Sequence, residues 1–196
     1  MTPAAALSLQ PLTFEQYLTY DEGSDTRYEL EAGELIEIPT ESPENNRIAQ
    51  QLYVELLKHL AYTLIAHKDT EIEVSGRLAS CRLPDLMVHT EASFTALQGQ
   101  SRAVITRDMP APALVVEVVS PGLVNRTRDY RHKFTEYAAR GIQEYWIVDP
   151  AEQRITLCQW VEGVYEPIVL TGDTPIASTV VPQLHLTPNQ LFQATA

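Results

Sequence analysis

Residues 113–150, ALVVEVVSPGLVNRTRDYRHKFTEYAARGIQEYWIVDP, decide the fold, because they predict a strand, a helix and a second strand in that order. The first segment, ALVVEVVS, is almost continuously apolar, which is typical of a central strand covered on both faces. A helix is predicted over about residues 128–140, and Gly141 marks its C-terminus before the strand EYWIVDP. This order favours a crossover unit with two parallel strands.

The remaining segments predict further helices and strands around this unit. Thr13 and Gln16 form a capping box for a short helix ending near Tyr20, and RYELEAGELIEI (27–38) predicts a hairpin. A long helix is predicted over about residues 43–66, where leucine or isoleucine recurs every four residues. Further strands are predicted at EIEVSG (71–76) and LPDLMVH (83–89), followed by the hairpin RITLCQWVEGVYEPIVL (154–170) and a short final helix. We therefore expect an α/β (α+β) fold in which one central mixed sheet is flanked by helices.

Length and composition predict a single domain over residues 1–196, since 44% of the 196 residues are hydrophobic and can form a full core. No apolar run reaches the roughly 18 to 20 residues of a membrane span, and the first dozen residues carry no basic n-region. The sequence thus predicts a cytoplasmic protein without membrane contact. Cys81 and Cys158 lie far apart without CxxC spacing, which indicates reduced packing residues.

The net charge of −12 is unusual for a nucleic-acid binder, which normally presents a basic face to phosphates. Residues 125–140 nevertheless hold five basic and two acidic side chains, a local charge of +3, whereas the rest of the chain carries −15. One local basic surface can grip a phosphodiester but is poorly suited to sliding along a duplex. A solvated helix face explains the same charges about as well.

Two carboxylates interrupt apolar strands and are the first candidates for chemistry. Burying Glu117 within residues 114–119 costs several kcal/mol unless a metal or cation compensates it, and an ion pair with an arginine is the alternative. Asp85 follows Pro84 near the beginning of another apolar strand, where a turn aspartate is the alternative. Two such carboxylates offer the oxygen ligands that Mg²⁺ or Mn²⁺ prefers. Lys133, in the helix after Glu117, can reach back towards them, or can form a surface i,i+4 pair with Asp129.

Asp85, Glu117 and Lys133 together resemble the acidic, acidic, lysine signature of the PD-(D/E)XK nuclease superfamily. The chain is most similar to a bacterial branch of restriction-endonuclease-like proteins whose biological function is unknown. The matching stretches span most of the chain: RYELEAGEL, ESPENNRI, RLPDLMV, ALVVEVVSP, DYRHKFTEYAARGIQEYWIVDP and VEGVYE. The resemblance implies the restriction-endonuclease-like arrangement of a central mixed sheet flanked by helices.

Some positions depart from the superfamily pattern. Val119 stands where the superfamily lysine is usual, and the branch supplies its lysine from the following helix, which makes Lys133 the candidate. The branch commonly has a histidine where this chain has Glu44-Asn45-Asn46, so proton transfer by that imidazole is absent or altered. Glu29 matches a glutamate that the resemblance places near the metal site, although it could be one of several glutamates in an acidic hairpin.

The resemblance implies a metal-dependent endonuclease that hydrolyses phosphodiester bonds in nucleic acid, with DNA as the expected substrate and RNA left open. Asp85 and Glu117 would bind Mg²⁺ (or Mn²⁺), and Lys133 would orient a water or stabilise developing charge. Flanking phosphates would be bound by Arg126, Arg128 and Arg131. A homodimer is expected, since cutting two strands needs two sites.

Two other function classes fit the sequence. A non-catalytic nucleic-acid-binding or regulatory module with the same fold is favoured by the acidic charge and by Asn45 in place of a histidine. A protein-interacting dimer could form through the edge of the predicted hairpin at VEGVYEPIVL (161–170). Serine and zinc hydrolases are disfavoured, because the chain has neither a GxSxG elbow nor an HExxH motif.

Overall fold

The computed structural model describes residues 10–23, 26–74, 76 and 78–193. Its α-helices are α1 (Phe14–Leu18), α2 (Pro43–Leu57), α3 (Glu91–Ala96), α4 (Leu123–Thr127), α5 (Phe134–Arg140) and α6 (Pro188–Gln193). A π-helical turn (Arg128–Lys133) joins α4 to α5, and a 3₁₀ turn (Tyr62–Leu64) follows α2. The strands are β1 (Tyr28–Glu31), β2 (Glu34–Glu37), β3 (Ile65–Ala66), β4 (Glu71–Val74), β5 (Ser80–Arg82), β6 (Leu86–Val88), β7 (Val104–Ile105), β8 (Leu114–Val118), β9 (Glu144–Asp149), β10 (Arg154–Val161) and β11 (Val164–Thr171).

A six-stranded mixed sheet in the order β11-β10-β9-β8-β6-β3 forms the centre of the fold. Strands β8 and β9 are parallel, as the crossover unit predicts, and the other neighbouring pairs are antiparallel. Successive side chains of β8 point to opposite faces of this sheet, and each face has its own hydrophobic core. Val116 packs on the face covered by α2 and α6, whereas Val115 packs on the face covered by α5. The continuously apolar sequence of β8 therefore reflects burial on both faces.

A second mixed sheet has the order β2-β1-β5-β4-β7 and carries the first hairpin. The predicted α/β (α+β) class is confirmed, although the strands are divided between two sheets and do not form one. Strands β5 and β7 were not predicted, because segments of three and two residues are too short to show a period-two pattern. The predicted strand EIEVSG is β4, and its Ser75 lies outside the described residues.

The helix predicted over residues 43–66 ends at Leu57, so the predicted boundary is wrong. The four-residue apolar spacing continues beyond the helix for another reason: Leu60 packs against the core from a bend, and Leu64 is the last residue of the 3₁₀ turn before β3. Periodicity alone did not distinguish these arrangements. The helix predicted at residues 128–140 begins earlier, at Leu123, and ends as predicted at Gly141 in the left-handed region.

The two cysteines are packing residues, as the sequence predicts. Cys81 and Cys158 are both free and buried, and burial raises the pKa of each thiol. They are packing residues of the two sheets. Across the described part of the chain, every helix is too short or too polar to cross a membrane.

We predict that Gly33→Ala destabilises the protein more than Gly163→Ala. Both glycines follow a residue with φ near +50° in a hairpin turn, with φ of +82° at Gly33 and +97° at Gly163. A left-handed conformation costs a substituted alanine about 1–2 kcal/mol at either position. At Gly33 a Cβ atom would also overlap the Cβ of Pro11, whereas no residue that the structure describes lies within 4 Å of a Cβ at Gly163.

This overlap should add about 1–3 kcal/mol to the loss in the free energy of unfolding for Gly33→Ala. Urea denaturation of the two variants measures the difference directly, with Gly163→Ala as the matched control. Equal losses would show that the N-terminal segment at Pro11 does not pack against this turn.

Candidate active site

Strand pairing brings Asp85 and Glu117 opposite each other at one end of the six-stranded sheet. In the antiparallel β6–β8 register, Leu86 pairs with Val116, so continuing it by one residue places Asp85 opposite Glu117. Residues directly opposite in such a pair have Cβ atoms about 4.5–5.5 Å apart. The backbone amide of Val118 fixes Asp85 by donating a hydrogen bond to its Oδ2 atom over 2.7 Å. Both carboxylates are buried.

Glu29 joins them from the other sheet. It lies in β1, next to the β1–β5 pairing of Leu30 with Cys81, and it is buried. Its Oε1 atom accepts a hydrogen bond of 2.9 Å from the backbone amide of Leu83, two residues before Asp85. The segment between β5 and β6 therefore contains Asp85 and binds Glu29 through the amide of Leu83. Both carboxylates line the same cleft.

Lys133, the last residue of the π-helical turn, lies between the carboxylates of Glu117 and Glu29. Its Nζ atom lies 2.8 Å from Glu117 Oε2, 3.5 Å from Glu29 Oε1 and 3.7 Å from Asp129 Oδ1. Lys133 is buried, and it lines one narrow cleft of about 80 Å³ together with Glu29, Asp85 and Glu117. The structure thus brings together all four residues that the sequence singled out as the catalytic core. The partner of Glu117 is a lysine and not the arginine of the alternative interpretation.

Burial and neighbouring charges shift the protonation of this cluster. Burial raises the pKa of Glu117 to about 8; Lys133 opposes the rise and Asp85 adds to it. Burial alone would lower the pKa of Lys133, but Glu117, Glu29 and Asp129 together raise it. The pKa of Glu29 is lowered, because Lys133 and Arg82 outweigh its burial. The cleft therefore holds the permanent ammonium group of Lys133 beside the carboxyl group of Glu117. An additional cation would stabilise the charged form of Glu117.

Lys68 belongs to the site but was not recognised from the sequence. Its Nζ atom lies 3.0 Å from Asp85 Oδ1, and it also donates to Asn46 Oδ1 over 3.2 Å. Lys68 has a φ of +55°, a conformation that costs a non-glycine residue about 1–3 kcal/mol and is found at functional sites. A single lysine in a loop belongs to no periodic sequence pattern. Lys68 reaches Asp85 through this loop conformation, which the sequence does not reveal.

Arg82 was also not recognised from the sequence, although it is the largest buried charged side chain beside the cleft. Its side chain is 0% exposed and lies 3.3 Å from Glu29, 2.9 Å from Glu31 and 2.8 Å from Glu136. The hydrogen bond from Arg82 lowers the pKa of Glu31 to about 2 although partial burial opposes the shift. Arg82 therefore fastens β1, β5 and α5 together behind the catalytic candidates.

The three predicted phosphate-binding arginines occupy different environments. Arg128 lines the cleft, and Arg131 is exposed to solvent. Arg126 pairs with Asp149 and lies over the ring of Tyr130, 4.8 Å from its centroid. Only Arg128 of the three lines the cleft that contains Lys133.

Asn45, where the family resemblance led us to expect a histidine, is buried beside the end of β8. Its Nδ2 atom donates to Val119 O over 3.4 Å and to Ser120 Oγ over 3.3 Å. An amide in this place positions the loop after β8 and transfers no proton.

The donor set fits Mg²⁺ only as a site of two protein carboxylates. Within the described ranges, no group of three or more His, Cys, Asp or Glu side chains is arranged to hold a metal ion. Asp85 and Glu117 remain, and Mg²⁺ is commonly held by one or two carboxylates, with waters and substrate phosphates completing its coordination. In the structure Lys68 and Lys133 contact these carboxylates at 3.0 and 2.8 Å, so positive charge is already favoured there.

The two mixed sheets flanked by helices form a restriction-endonuclease-like fold. The model of the Uma2 family, described as "Putative restriction endonuclease", matches residues 14–189, and the chain belongs to this family. A crystal structure titled as that of "a putative nuclease belonging to DUF820" from Anabaena variabilis superposes with a TM-score of 0.72. The two chains are 17% identical over 95% of this chain and 100% of that one, which is evidence for the fold alone. No curated protein matches the sequence.

Proposed function

We propose that the protein is a metal-dependent endonuclease that hydrolyses phosphodiester bonds in nucleic acid. Its family and fold support a nuclease-type function. The observation that carries the proposal is the meeting of Asp85, Glu117 and Lys133 in one cleft, although they come from three separate elements. Opposed carboxylates with a buried ammonium group match the needs of phosphoryl transfer, in which negative charge must be both positioned and neutralised.

Asp85 and Glu117 are the residues that would hold Mg²⁺ or Mn²⁺. When bound, the ion would supply Lewis-acid polarisation of a phosphoryl oxygen. The protein's contribution is a rigid pair of ligands, since Asp85 is fixed by the amide of Val118 at 2.7 Å and Glu117 by the hydroxyl of Tyr137 at 2.8 Å.

Lys133 and Arg128 would act on the substrate directly. The ammonium group of Lys133 is held protonated by its carboxylate neighbours, so it can stabilise the charge that develops on the phosphoryl oxygens. Arg128 lines the same cleft and offers a planar fork to a phosphate, with Arg126 and Arg131 assigned to flanking phosphates. We take DNA as the first substrate to test, with RNA beside it.

A direct test incubates the purified protein with end-labelled DNA and RNA in Mg²⁺, Mn²⁺ or EDTA. The proposal expects cleavage with either metal and none with EDTA. Binding of nucleic acid without cleavage would favour the regulatory module with the same fold. The module is favoured by one observation, namely that both oxygens of Asp85 and of Glu117 already have protein partners.

We predict that Lys133→Met lowers the cleavage rate by about 100-fold or more, because it removes the positive charge facing the reacting phosphate. Binding of Mn²⁺, measured by isothermal titration calorimetry, should persist, since both proposed ligands remain. Lys58→Met is the matched control, as Lys58 forms an exposed pair with Glu55 on α2. Unchanged cleavage by Lys133→Met would remove the lysine from the mechanism.

We also predict a homodimer, because cleavage of both strands of a duplex requires two sites. The edge strand β11, whose Val164 and Ile168 are exposed on one face of the sheet, is the surface that pairing would cover. Light scattering at micromolar concentration should report twice the mass of the 22.0 kDa chain. A mass of 22.0 kDa, that of a monomer, would refute the homodimer.

A further inference from the structure

The carboxylate of Asp129 is buried at the cleft without a hydrogen bond to its Oδ1 atom. Asp129 is 2% exposed, lines the cleft, and has no hydrogen-bond partner for Oδ1 among the residues that the structure describes. A buried acceptor left unsatisfied costs about 1–3 kcal/mol, so such atoms call for an explanation by function or by a bound molecule.

The nearest positive groups lie just beyond hydrogen-bonding distance. Both Lys133 Nζ and Arg128 Nε lie 3.7 Å from Asp129 Oδ1, and Arg128 Nε is itself buried with no hydrogen-bond partner in the described part of the chain. Direct N–H···O bonds span about 2.7–3.2 Å. At 3.7 Å neither cation donates directly to Asp129 Oδ1, so this atom can still accept a hydrogen bond from a water that in turn accepts from one of the cations.

The polarity of this pocket excludes a phosphate oxygen as the group that meets Asp129. A phosphate oxygen offers only lone pairs and is repelled by a carboxylate, whereas a water has both a proton for Asp129 and lone pairs for the cations. Asp129 and Lys133 also lie in the π-helical turn, a rare geometry that is frequent at functional sites.

We propose that Asp129 is a catalytic residue of the nuclease, accepting a hydrogen bond from the attacking water and then its proton. The inference rests on the proposed function. The water oxygen forms a bond to phosphorus, and the bond from phosphorus to the leaving sugar oxygen breaks. One proton of the water passes to Asp129 Oδ1, and the leaving oxygen takes a proton from solvent. Lys133 or Arg128 donates one hydrogen bond to the water, which leaves its other lone pair free to attack phosphorus.

The first test is kinetic and compares Asp129→Asn with the wild-type protein. The amide keeps the size of the side chain but cannot take up the proton, so kcat should fall about 100- to 1,000-fold. KM and the affinity for Mn²⁺ measured by calorimetry should stay within about two-fold, because Asp129 is assigned to the water and not to the metal or the phosphates. Asp129→Asn cleaving at the wild-type kcat would overturn the assignment.

Glu144→Gln is the matched control for loss of a buried carboxylate. Glu144 is 0% exposed at the opposite end of the same sheet and accepts hydrogen bonds from Ser178 and Trp146. This variant should lose thermal stability while keeping kcat, which separates a structural cost from a catalytic one. A matching loss of kcat in Glu144→Gln would overturn the specificity claimed for Asp129.

A crystal structure of the wild-type protein gives a readout independent of activity. It should show an ordered water within hydrogen-bonding distance of Asp129 Oδ1 and of Lys133 or Arg128. A direct hydrogen bond from either cation to Oδ1, with no water between them, would contradict the assignment. If the wild-type protein cleaves no nucleic acid with Mg²⁺ or Mn²⁺, the proposed function fails. If it cleaves and Asp129→Asn cleaves equally well, only the role of Asp129 fails.

Discussion

Asp85→Asn and Glu117→Gln should each abolish phosphodiester cleavage, with a loss of about 1,000-fold or more. Each substitution removes one of the two carboxylates proposed to hold the divalent ion, whose electrostatic contribution to such reactions is several kcal/mol, and each 1.36 kcal/mol is a factor of ten in rate. Both replacements keep the size of the side chain, so the packing around β6 and β8 is preserved. The measurement is the rate of cleavage of labelled DNA and RNA in Mg²⁺ and in Mn²⁺.

Two controls separate loss of the site from loss of the fold. Asp108→Asn changes an exposed aspartate that is hydrogen-bonded to Thr106, and it should cleave at the wild-type rate. Thermal unfolding in EDTA should show that both site variants remain folded, while added Mn²⁺ should raise the melting temperature of the wild-type protein alone. Wild-type cleavage by either Asp85→Asn or Glu117→Gln would exclude that residue from the site.

Arg82→Met should lower the free energy of unfolding by about 3–5 kcal/mol, which is the usual cost of removing one partner from a buried ionic network. Methionine fills most of the space of the arginine, but it leaves Glu29, Glu31 and Glu136 buried or half-buried without their shared cation. Urea denaturation followed by circular dichroism measures the loss.

Lys58→Met provides the comparison for an exposed ion pair. Lys58 lies 2.7 Å from Glu55 with its side chain 56% exposed, and such surface pairs contribute about 0–1 kcal/mol. Similar losses for Arg82→Met and Lys58→Met would show that Arg82 does not fasten β1, β5 and α5 together.

Residues whose chemistry conflicts with their local sequence could be recognised without a structure. Glu117 stands out because a carboxylate interrupts a strand buried on both faces, and Asp85 stands out for the same reason beside Pro84. The parallel pairing of β8 with β9 followed from the strand, helix, strand order and Gly141. Lys133 depended on the resemblance, since a helical lysine four residues after an aspartate is usually a surface residue.

Other parts of the site depend on tertiary contacts that no local pattern encodes. Arg82 lies in a strand of three residues, and its partners Glu29 and Glu136 are contributed by β1 and α5. Lys68 reaches Asp85 through a left-handed loop conformation. The end of α2 at Leu57 was missed because Leu60 and Leu64 keep the helical spacing while lying in a bend and in a 3₁₀ turn.

We expect Asp85 and Glu117 to hold one divalent ion within reach of Lys133. Anomalous diffraction from a crystal soaked in Mn²⁺ tests it most directly, because it locates the ion and its ligands together. We predict one strong anomalous peak at about 2.0–2.2 Å from oxygens of both carboxylates, as expected for a small divalent cation with oxygen ligands. A crystal with no peak in this cleft, or with manganese bound only elsewhere on the protein, would contradict it.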